Sequence, residues 1–225
     1  MAVSISRLDP EEVLRYMGCP PDRADPELRE QVQQAIAQML GQITPRWTWR
    51  PFGLSFEEEG VRLSCGLLLP GRDLKAHLKG CDRAVLFCAT LGAQTDALIR
   101  RAQGGDLLRG LALDCAADAA VEELCDQAEL EIRGRFPGCH FPFRYSPGYG
   151  DLPLTLQGEL LDLLDAPRRV GLTASPSSIL IPRKSVTALL GVSPHPVPAR
   201  TRSCLDCPGR RTCQYRKSGG HCGIS

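Results

Sequence analysis

Three strand-like segments in this sequence follow one another with no helix between them. They read RVGLT, SILI and SVTALL, and they fall between residues 169 and 190. Consecutive parallel strands need a crossover connection of about a dozen residues or more, usually a helix, whereas antiparallel strands need only a short turn. The pattern therefore predicts a twisted antiparallel or mixed sheet. Because helical segments occupy other parts of the chain and flank this sheet, we expect an α+β fold.

The earlier part of the chain predicts further helices and strands. Asp-Pro-Glu occurs at residues 9–11 and 25–27, which places a capping aspartate before a proline suited to the first helical turn. We expect a helix after each. A strand-like region at 47–69 contains the turn residues Glu59-Gly60. The segments expected after it are a short helix at 72–79, a buried strand at 83–89, a long helix at 106–133, a Pro/Gly-rich loop at 136–153 and a helix near 158–164.

The cysteine and charge distributions divide the chain near residue 196. Seven cysteines are scattered through the first 140 residues, whereas four lie in the last 22. After residue 198, six basic residues stand against one acidic residue, although the whole chain has a net charge of only +1. The prolines within 193–198 predict a stiff, extended spacer. We expect a domain at 1–195, with the seven scattered thiols in its core, and a basic Cys-rich tail at 196–225.

The tail has the cysteine density of a metal site. Its four thiols are Cys204, Cys207, Cys213 and Cys222. Structural zinc sites often have two Cys-x2-Cys pairs and this tail has one, while irregular spacing also suits an iron–sulfur cluster. Iron–sulfur, zinc and no metal all remain open at this point. The surrounding positive charge would favour the thiolate form and attract an acidic partner such as a flavodoxin or ferredoxin, or else nucleic acid.

Composition excludes several other classes of protein. With 43% hydrophobic and 24% charged residues, the chain is typical of a globular protein. The N-terminus lacks the basic and apolar segments of a secretory signal, and no apolar run approaches the roughly 18 residues of a membrane span. We therefore expect a cytoplasmic protein with reduced thiols and no membrane contact. His77 and His140 have no partner at metal-ligand spacing, and we expect both to face solvent.

The loop at 143–151 combines groups suited to holding a small charged ligand. It contains Arg144, the turn Ser146-Pro147-Gly148 and an aromatic ring at Tyr149. An arginine can bind a carboxylate with two hydrogen bonds, a Pro-Gly turn can leave backbone amides facing a ligand, and a tyrosine can cover a heterocycle. The competing interpretation is an ordinary surface turn with a tyrosine packed beneath it.

The same loop resembles a known family. R-x3-G-Y at 144–149 matches the R-x-x-x-G-Y signature of the activation domain of cobalamin-dependent methionine synthase, which binds S-adenosylmethionine (AdoMet). An Ala/Glu-rich helix around Glu122 precedes the motif, and a leucine-rich helix follows it. The pattern S-x4-P-x2-S-V-x-A at 177–188 is then similar to the family's S-F-A-M-x-P-x-x-S-V-S-G. The sequence departs from the family at Leu189 and Leu190, where the family has aromatic residues.

The resemblance implies a function and assigns site residues. Arg144 corresponds to the arginine that holds the AdoMet carboxylate. The backbone at Ser146, Gly148 and Tyr149 corresponds to the turn that recognises adenine, and Glu122 to a helical glutamate near the ligand. Asp151 is a weaker acidic candidate. Because AdoMet carries a carboxylate, an ammonium and a sulfonium, an arginine and carboxylates form the complementary set.

A stand-alone activation domain would require a partner. The resemblance implies reductive methylation of cobalamin carried by a separate methionine synthase subunit, so we expect an accessory subunit of methionine biosynthesis that does not turn over alone. The alternative is a metal-containing nucleic-acid-binding protein that uses the basic tail. A near-neutral whole chain with only 5% aromatic residues makes nucleic acid the less favoured partner.

Overall fold

The computed structural model describes residues 4–197, and their contacts form two compact units. The first unit contains residues 4–50, 86–135 and 154–188, and the second contains 51–85, 136–153 and 189–197. The expected domain boundary near residue 196 and the four tail cysteines lie at or outside the end of the described residues, so the tail stays a prediction.

The helices begin close to where the sequence predicts them. Asp9, Asp25 and Asp106 each accept a hydrogen bond from a backbone N–H in the first turn of the helix they precede. The described α-helices are α1 (Pro10–Tyr16), α2 (Pro26–Leu40), α3 (Arg72–His77), α4 (Ala93–Gln103), α5 (Leu107–Gly134), α6 (Gln157–Leu163) and α7 (Ala166–Arg169), with short 3₁₀ turns at Pro21–Arg23 and Leu154–Leu156.

The strands form a five-stranded sheet and a separate two-stranded hairpin. The strands are β1 (Arg46–Phe56), β2 (Gly60–Leu63), β3 (Leu68–Pro70), β4 (Arg83–Thr90), β5 (Thr173–Ala174), β6 (Leu180–Ile181) and β7 (Ser185–Val192). The order in the large sheet is β3-β2-β1-β4-β7, and β5 pairs with β6. The predicted α+β fold is confirmed.

The large sheet is antiparallel throughout. β1 pairs with β2, and β2 with β3, in antiparallel register. The start of β1 lies beside the end of β4, because the Thr44 N–H donates to the Leu91 carbonyl at 2.9 Å. The end of β1 lies beside the start of β4, because the Leu54 N–H donates to the Asp82 carbonyl at 3.0 Å. Asp82 and Leu91 likewise donate to opposite ends of β7, so β4 and β7 are antiparallel too.

The core of the first unit is built around α5. This helix of 28 residues contacts α1, α2 and α4, and six of its thirteen buried positions are alanines. Because alanine side chains are short, they let neighbouring helices approach closely. Four of the seven described cysteines are buried as expected: Cys81, Cys88, Cys115 and Cys125. Cys65 is exposed and Cys19 and Cys139 are half-buried, so the expectation that all seven belong to the core is wrong for these three.

Two segments differ from the sequence prediction. The sequence does not predict α4, since its preceding residue is Gly92, which provides no side-chain cap. In the predicted strand RVGLT, Arg169 ends α7 and only Thr173 belongs to a strand, where it and the following Ala174 pair with β6. Within residues 4–197, no helix has the length and apolar character to cross a bilayer.

Candidate functional site

The segment before the predicted ligand loop pairs with the edge strand β7. His140 and Ser193 exchange backbone hydrogen bonds of 2.8 and 2.9 Å, and Tyr145 and Leu189 exchange bonds of 2.9 and 2.8 Å. The backbone of residues 140–145 is therefore tied at both ends to the second-unit end of β7. Arg144 lies next to the second of these pairs, so its backbone position is determined by the sheet.

Arg144 is a buried charged residue. It is 8% exposed, in contrast to the surface position typical of arginine. The rings of its neighbours Phe143 and Tyr145 both lie beside the ring of His77. The burial of Arg144 argues against an ordinary surface turn.

The loop then makes a tight turn at residues 146–149. The Tyr149 N–H donates to the Ser146 carbonyl at 3.0 Å, and Gly148 has a φ of +89°. With Pro147 before the glycine, this is the arrangement of a type II turn. The Gly148 N–H donates to the Leu152 carbonyl at 2.8 Å. The amides of Gly148 and Tyr149 are thus used inside the loop, contrary to our expectation that the turn leaves them facing a ligand.

Two tyrosines pack at the end of the turn. The Tyr145 hydroxyl donates to the Tyr149 carbonyl at 3.1 Å, and the two rings meet edge to face with centroids 5.8 Å apart. Tyr145 is buried, whereas Tyr149 is 42% exposed. The Tyr149 ring therefore packs against Tyr145 and still has an accessible surface. A ring that covers a heterocycle needs such a surface.

Asp151, the weaker acidic candidate, has a structural role. Its carboxylate accepts hydrogen bonds from the backbone N–H groups of Arg72 at 2.6 Å and Asp73 at 3.1 Å. The residue that precedes α3, Gly71, provides no side-chain cap. Asp151 therefore satisfies the first amides of α3 from a distant part of the chain, which accounts for its position after the turn.

Glu122 lies in the first unit, on α5, and is half-buried. Its charge acts on Tyr16 at the end of α1. Burial, with further contributions from Glu122 and Glu12, raises the pKa of the Tyr16 hydroxyl to about 12. Glu122 therefore lies on the side of α5 near α1. Arg144, Ser146, Gly148 and Tyr149 belong to the second unit, where the structure brings these four together.

Asp118, one helical turn before Glu122 on α5, is half-buried. Lys184 Nζ lies 2.7 Å from an Asp118 carboxylate oxygen and 3.0 Å from one of Asp114. Burial raises the Asp118 pKa above its ordinary value, although Lys184 acts to lower it. Asp118 is thus part of an ion-paired cluster rather than a simple exposed surface.

The second family-like segment forms the entry to β7. The Ser185 hydroxyl lies 2.7 Å from both the Thr90 hydroxyl and the Pro182 carbonyl oxygen. The peptide bond before Pro182 is cis. The Arg183 N–H donates to the Asp96 carboxylate at 2.8 Å. In this segment the serine and proline of the pattern therefore organise the turn into β7.

The structure corrects the expected exposure of one histidine. The predicted metal ligands stay a prediction. His77 is 6% exposed, so the expectation that it faces solvent is wrong, whereas His140 is exposed as expected. Among residues 4–197, no three His, Cys, Asp or Glu side chains are grouped as metal ligands. The predicted ligands Cys204, Cys207, Cys213 and Cys222 lie outside this range.

Comparisons with known proteins bear on the fold. No protein-family model matches this sequence, and no curated protein matches it. The five-stranded antiparallel sheet with its flanking helices nevertheless has the fold of a methionine synthase reactivation domain. A similar solved structure is described as the MetH reactivation domain bound to AdoHcy. The TM-score is 0.64 at 15% sequence identity, over 98% of this chain and 85% of that chain. The resemblance predicted from the sequence is therefore confirmed for the fold.

Proposed function

We propose that this protein binds AdoMet and acts as the reactivation module of a cobalamin-dependent methionine synthase whose cobalamin is carried by a separate subunit. The observation that carries the proposal is the buried Arg144, fixed beside β7 and followed by the turn with Tyr149, in a fold shared with a domain that binds AdoHcy. AdoHcy and AdoMet have the same carboxylate, ammonium and adenosine groups.

Each group of the ligand has a complement among the candidate residues. The Arg144 guanidinium would hold the carboxylate with two parallel hydrogen bonds. The exposed Tyr149 ring would cover the adenine, and the carbonyl groups of Pro147 and Gly148 would accept hydrogen bonds from the adenine amino group. For Glu122, the resemblance alone assigns a place near the ligand, as negative charge for the ammonium and sulfonium. Because Gly148 and Tyr149 use their amides within the loop, adenine recognition rests on carbonyl oxygens and the ring.

The chemical contribution of such a module is positioning. Reactivation consumes one electron, which reduces the inactive cobalt, and the AdoMet methyl group, whose loss leaves AdoHcy. No general base or covalent nucleophile on this chain is required. By fixing both ends of AdoMet, the loop would raise the effective concentration of the methyl group at the partner's corrin. The methionine synthase subunit is accordingly the proposed partner.

For the tail we propose a metal centre formed by Cys204, Cys207, Cys213 and Cys222. The described chain ends in the second unit, where the Ser193 hydroxyl lies 2.7 Å from the Gly80 carbonyl oxygen. The described residues that precede the tail therefore belong to the unit that holds Arg144. An iron–sulfur cluster there would deliver the electron, which it would receive from an acidic flavodoxin or ferredoxin. Protein purified without oxygen that contains zinc and no iron would contradict electron delivery.

Methyl transfer to a partner tests the proposed function. A methionine synthase subunit that carries oxidised cobalamin and lacks its own reactivation domain is mixed with a chemical reductant and methyl-labelled AdoMet. We expect label to reach cobalamin only when this protein is added. Equal labelling with and without this protein would contradict the proposal. Steeply salt-dependent binding to DNA or RNA, with no transfer, would favour the nucleic-acid alternative.

A further inference from the structure

The short helix α3 contacts both ends of the loop at residues 143–151, which we call the clamp loop. At one end, His77 Nε2 lies 2.8 Å from the carbonyl oxygen of Phe143. At the other end, the Asp151 carboxylate accepts hydrogen bonds from the first backbone amides of α3. His77 is the last residue of α3. One rigid helical segment therefore sets where the clamp loop begins and where it ends.

The His77 contact acts directly on the peptide group of Arg144. The Phe143 carbonyl and the Arg144 nitrogen belong to one planar peptide unit, so a hydrogen bond to that oxygen also orients Arg144. The His77 ring packs with its centroid 4.3 Å from that of Phe143 and 5.0 Å from that of Tyr145. A hydrogen bond and two ring contacts thus fix the backbone on both sides of Arg144.

The other end of the loop is equally constrained near Tyr149. A Cβ atom added at Gly150 would lie 2.6 Å from an Asp73 carboxylate oxygen, and the Tyr145 hydroxyl is closer still. The chain at Gly150 therefore runs directly against α3 and Tyr145. Since the Tyr145 hydroxyl also holds the Tyr149 carbonyl, the exposed Tyr149 ring is placed by the same set of contacts.

We propose that α3 sets the separation between the carboxylate-binding Arg144 and the Tyr149 ring, and that His77 is the positioning residue for Arg144. This inference rests on the proposed AdoMet function. The role is positioning because the contact of His77 Nε2 is with the Phe143 carbonyl, which belongs to the protein backbone. Without the His77 N–H, the Phe143–Arg144 peptide would lose its orienting bond. We expect AdoHcy affinity to fall about tenfold, the effect of one buried hydrogen bond.

Two substitutions at His77 separate hydrogen bonding from packing. His77→Phe keeps an aromatic ring against Phe143 and Tyr145 but removes the donor. His77→Gln gives up ring packing but places an amide N–H near the original Nε2 position. We expect His77→Phe to weaken AdoHcy binding about tenfold by calorimetry, and His77→Gln to recover most of that loss. A purely structural role would give the opposite order, because the phenylalanine variant would be the more stable protein.

A second pair of variants keeps the inference testable if His77→Phe does not fold. Asp151 is exposed, and Asp151→Ala removes the contact at the other end of α3. We expect this variant also to weaken AdoHcy binding, while Asp82→Ala, which changes an exposed aspartate of the same unit, leaves it unchanged.

The outcomes distinguish this inference from the function on which it rests. No AdoHcy binding by the wild-type protein would overturn the proposed function, and this inference with it. Wild-type binding together with unchanged affinity in His77→Phe and Asp151→Ala would overturn the inference alone. Failure of His77→Gln to bind better than His77→Phe would overturn the role assigned to the His77 N–H.

Discussion

Lys184 Nζ and the Asp118 carboxylate lie 2.7 Å apart and join the entry of β7 to the middle of α5. The Lys184 side chain is only 12% exposed, and the same ammonium lies 3.0 Å from Asp114. This nearly buried ammonium and its two carboxylates stabilise this part of the first unit. Loss of the ammonium would leave the carboxylates without the positive charge that offsets their desolvation.

Removing the ammonium should destabilise the fold. We expect Lys184→Met to lower the free energy of unfolding by about 1–2 kcal/mol, less than for a fully buried pair because Asp118 is partly exposed. Arg168→Met is the matched control, since the Arg168 side chain is 86% exposed and lies 3.8 Å from Asp165. It should change stability by less than about 0.5 kcal/mol in urea unfolding. Equal effects of the two variants would contradict the role of Lys184.

The raised pKa of Asp118 predicts a pH dependence. Burial makes the folded protein bind this proton at higher pH than the unfolded chain does, whose carboxyl has the ordinary value of 3.8. The stability that Asp118 contributes is therefore lost as pH rises above that value. Urea unfolding is measured at a series of pH values from 3.8 upward. The free energy of unfolding of the wild type, relative to that of Asp118→Asn, should fall as pH increases. A rise instead would mean that Lys184 outweighs burial.

Thiol reactivity should separate the exposed cysteine from the buried ones. Burial raises the pKa of Cys88 to about 12 and those of Cys81 and Cys115 to about 11, so these thiols stay protonated near neutral pH. Cys65 is exposed. Among these four cysteines, iodoacetamide at about pH 8 should label Cys65 first, and the other three only after denaturant is added, as peptide mapping would show. Early labelling of Cys88 would contradict its burial.

A side chain at Gly150, just after the turn of the clamp loop, should lower the stability of the protein. This residue has a φ of +51°, and an added Cβ would meet Tyr145 and Asp73. We expect Gly150→Ala to cost about 1–2 kcal/mol and to lower the melting temperature. Gly158→Ala is the control, because that Cβ would meet nothing within 4 Å in helix α6, and alanine favours a helix over glycine. A Gly150 variant as stable as the Gly158 variant would contradict the loop geometry.

The sequence predicts those parts of the fold that local chemistry determines. The helices after Asp9, Asp25 and Asp106 follow from their capping side chains, which act on amides two or three residues away. Helix α4 has no such cap, and the sequence does not predict it. The RVGLT segment has a strand-like composition, but the left-handed Asp165 and the helix α7 that follows it leave only two residues for pairing.

The candidate site, too, can be predicted from the sequence only in part. The sequence motif predicts four site residues because they lie within six positions of one another: Arg144, Ser146, Gly148 and Tyr149. His77 acts on Phe143 across 66 positions, and no local pattern reports such a contact. One signal is present: Leu74, His77 and Leu78 share one helical face, and both leucines are fully buried. A histidine on that face is expected to be inside.

Calorimetric titration with AdoHcy tests the central claim most directly. The wild type is compared with Arg144→Ala and with the control Arg62→Ala, which removes a partly exposed arginine of the same unit paired with Glu57. We predict binding by the wild type and the control, and a loss of about 2 kcal/mol or more in Arg144→Ala, because the ligand carboxylate loses a charged partner. No heat with the wild type, or equal affinity in Arg144→Ala, would contradict the account.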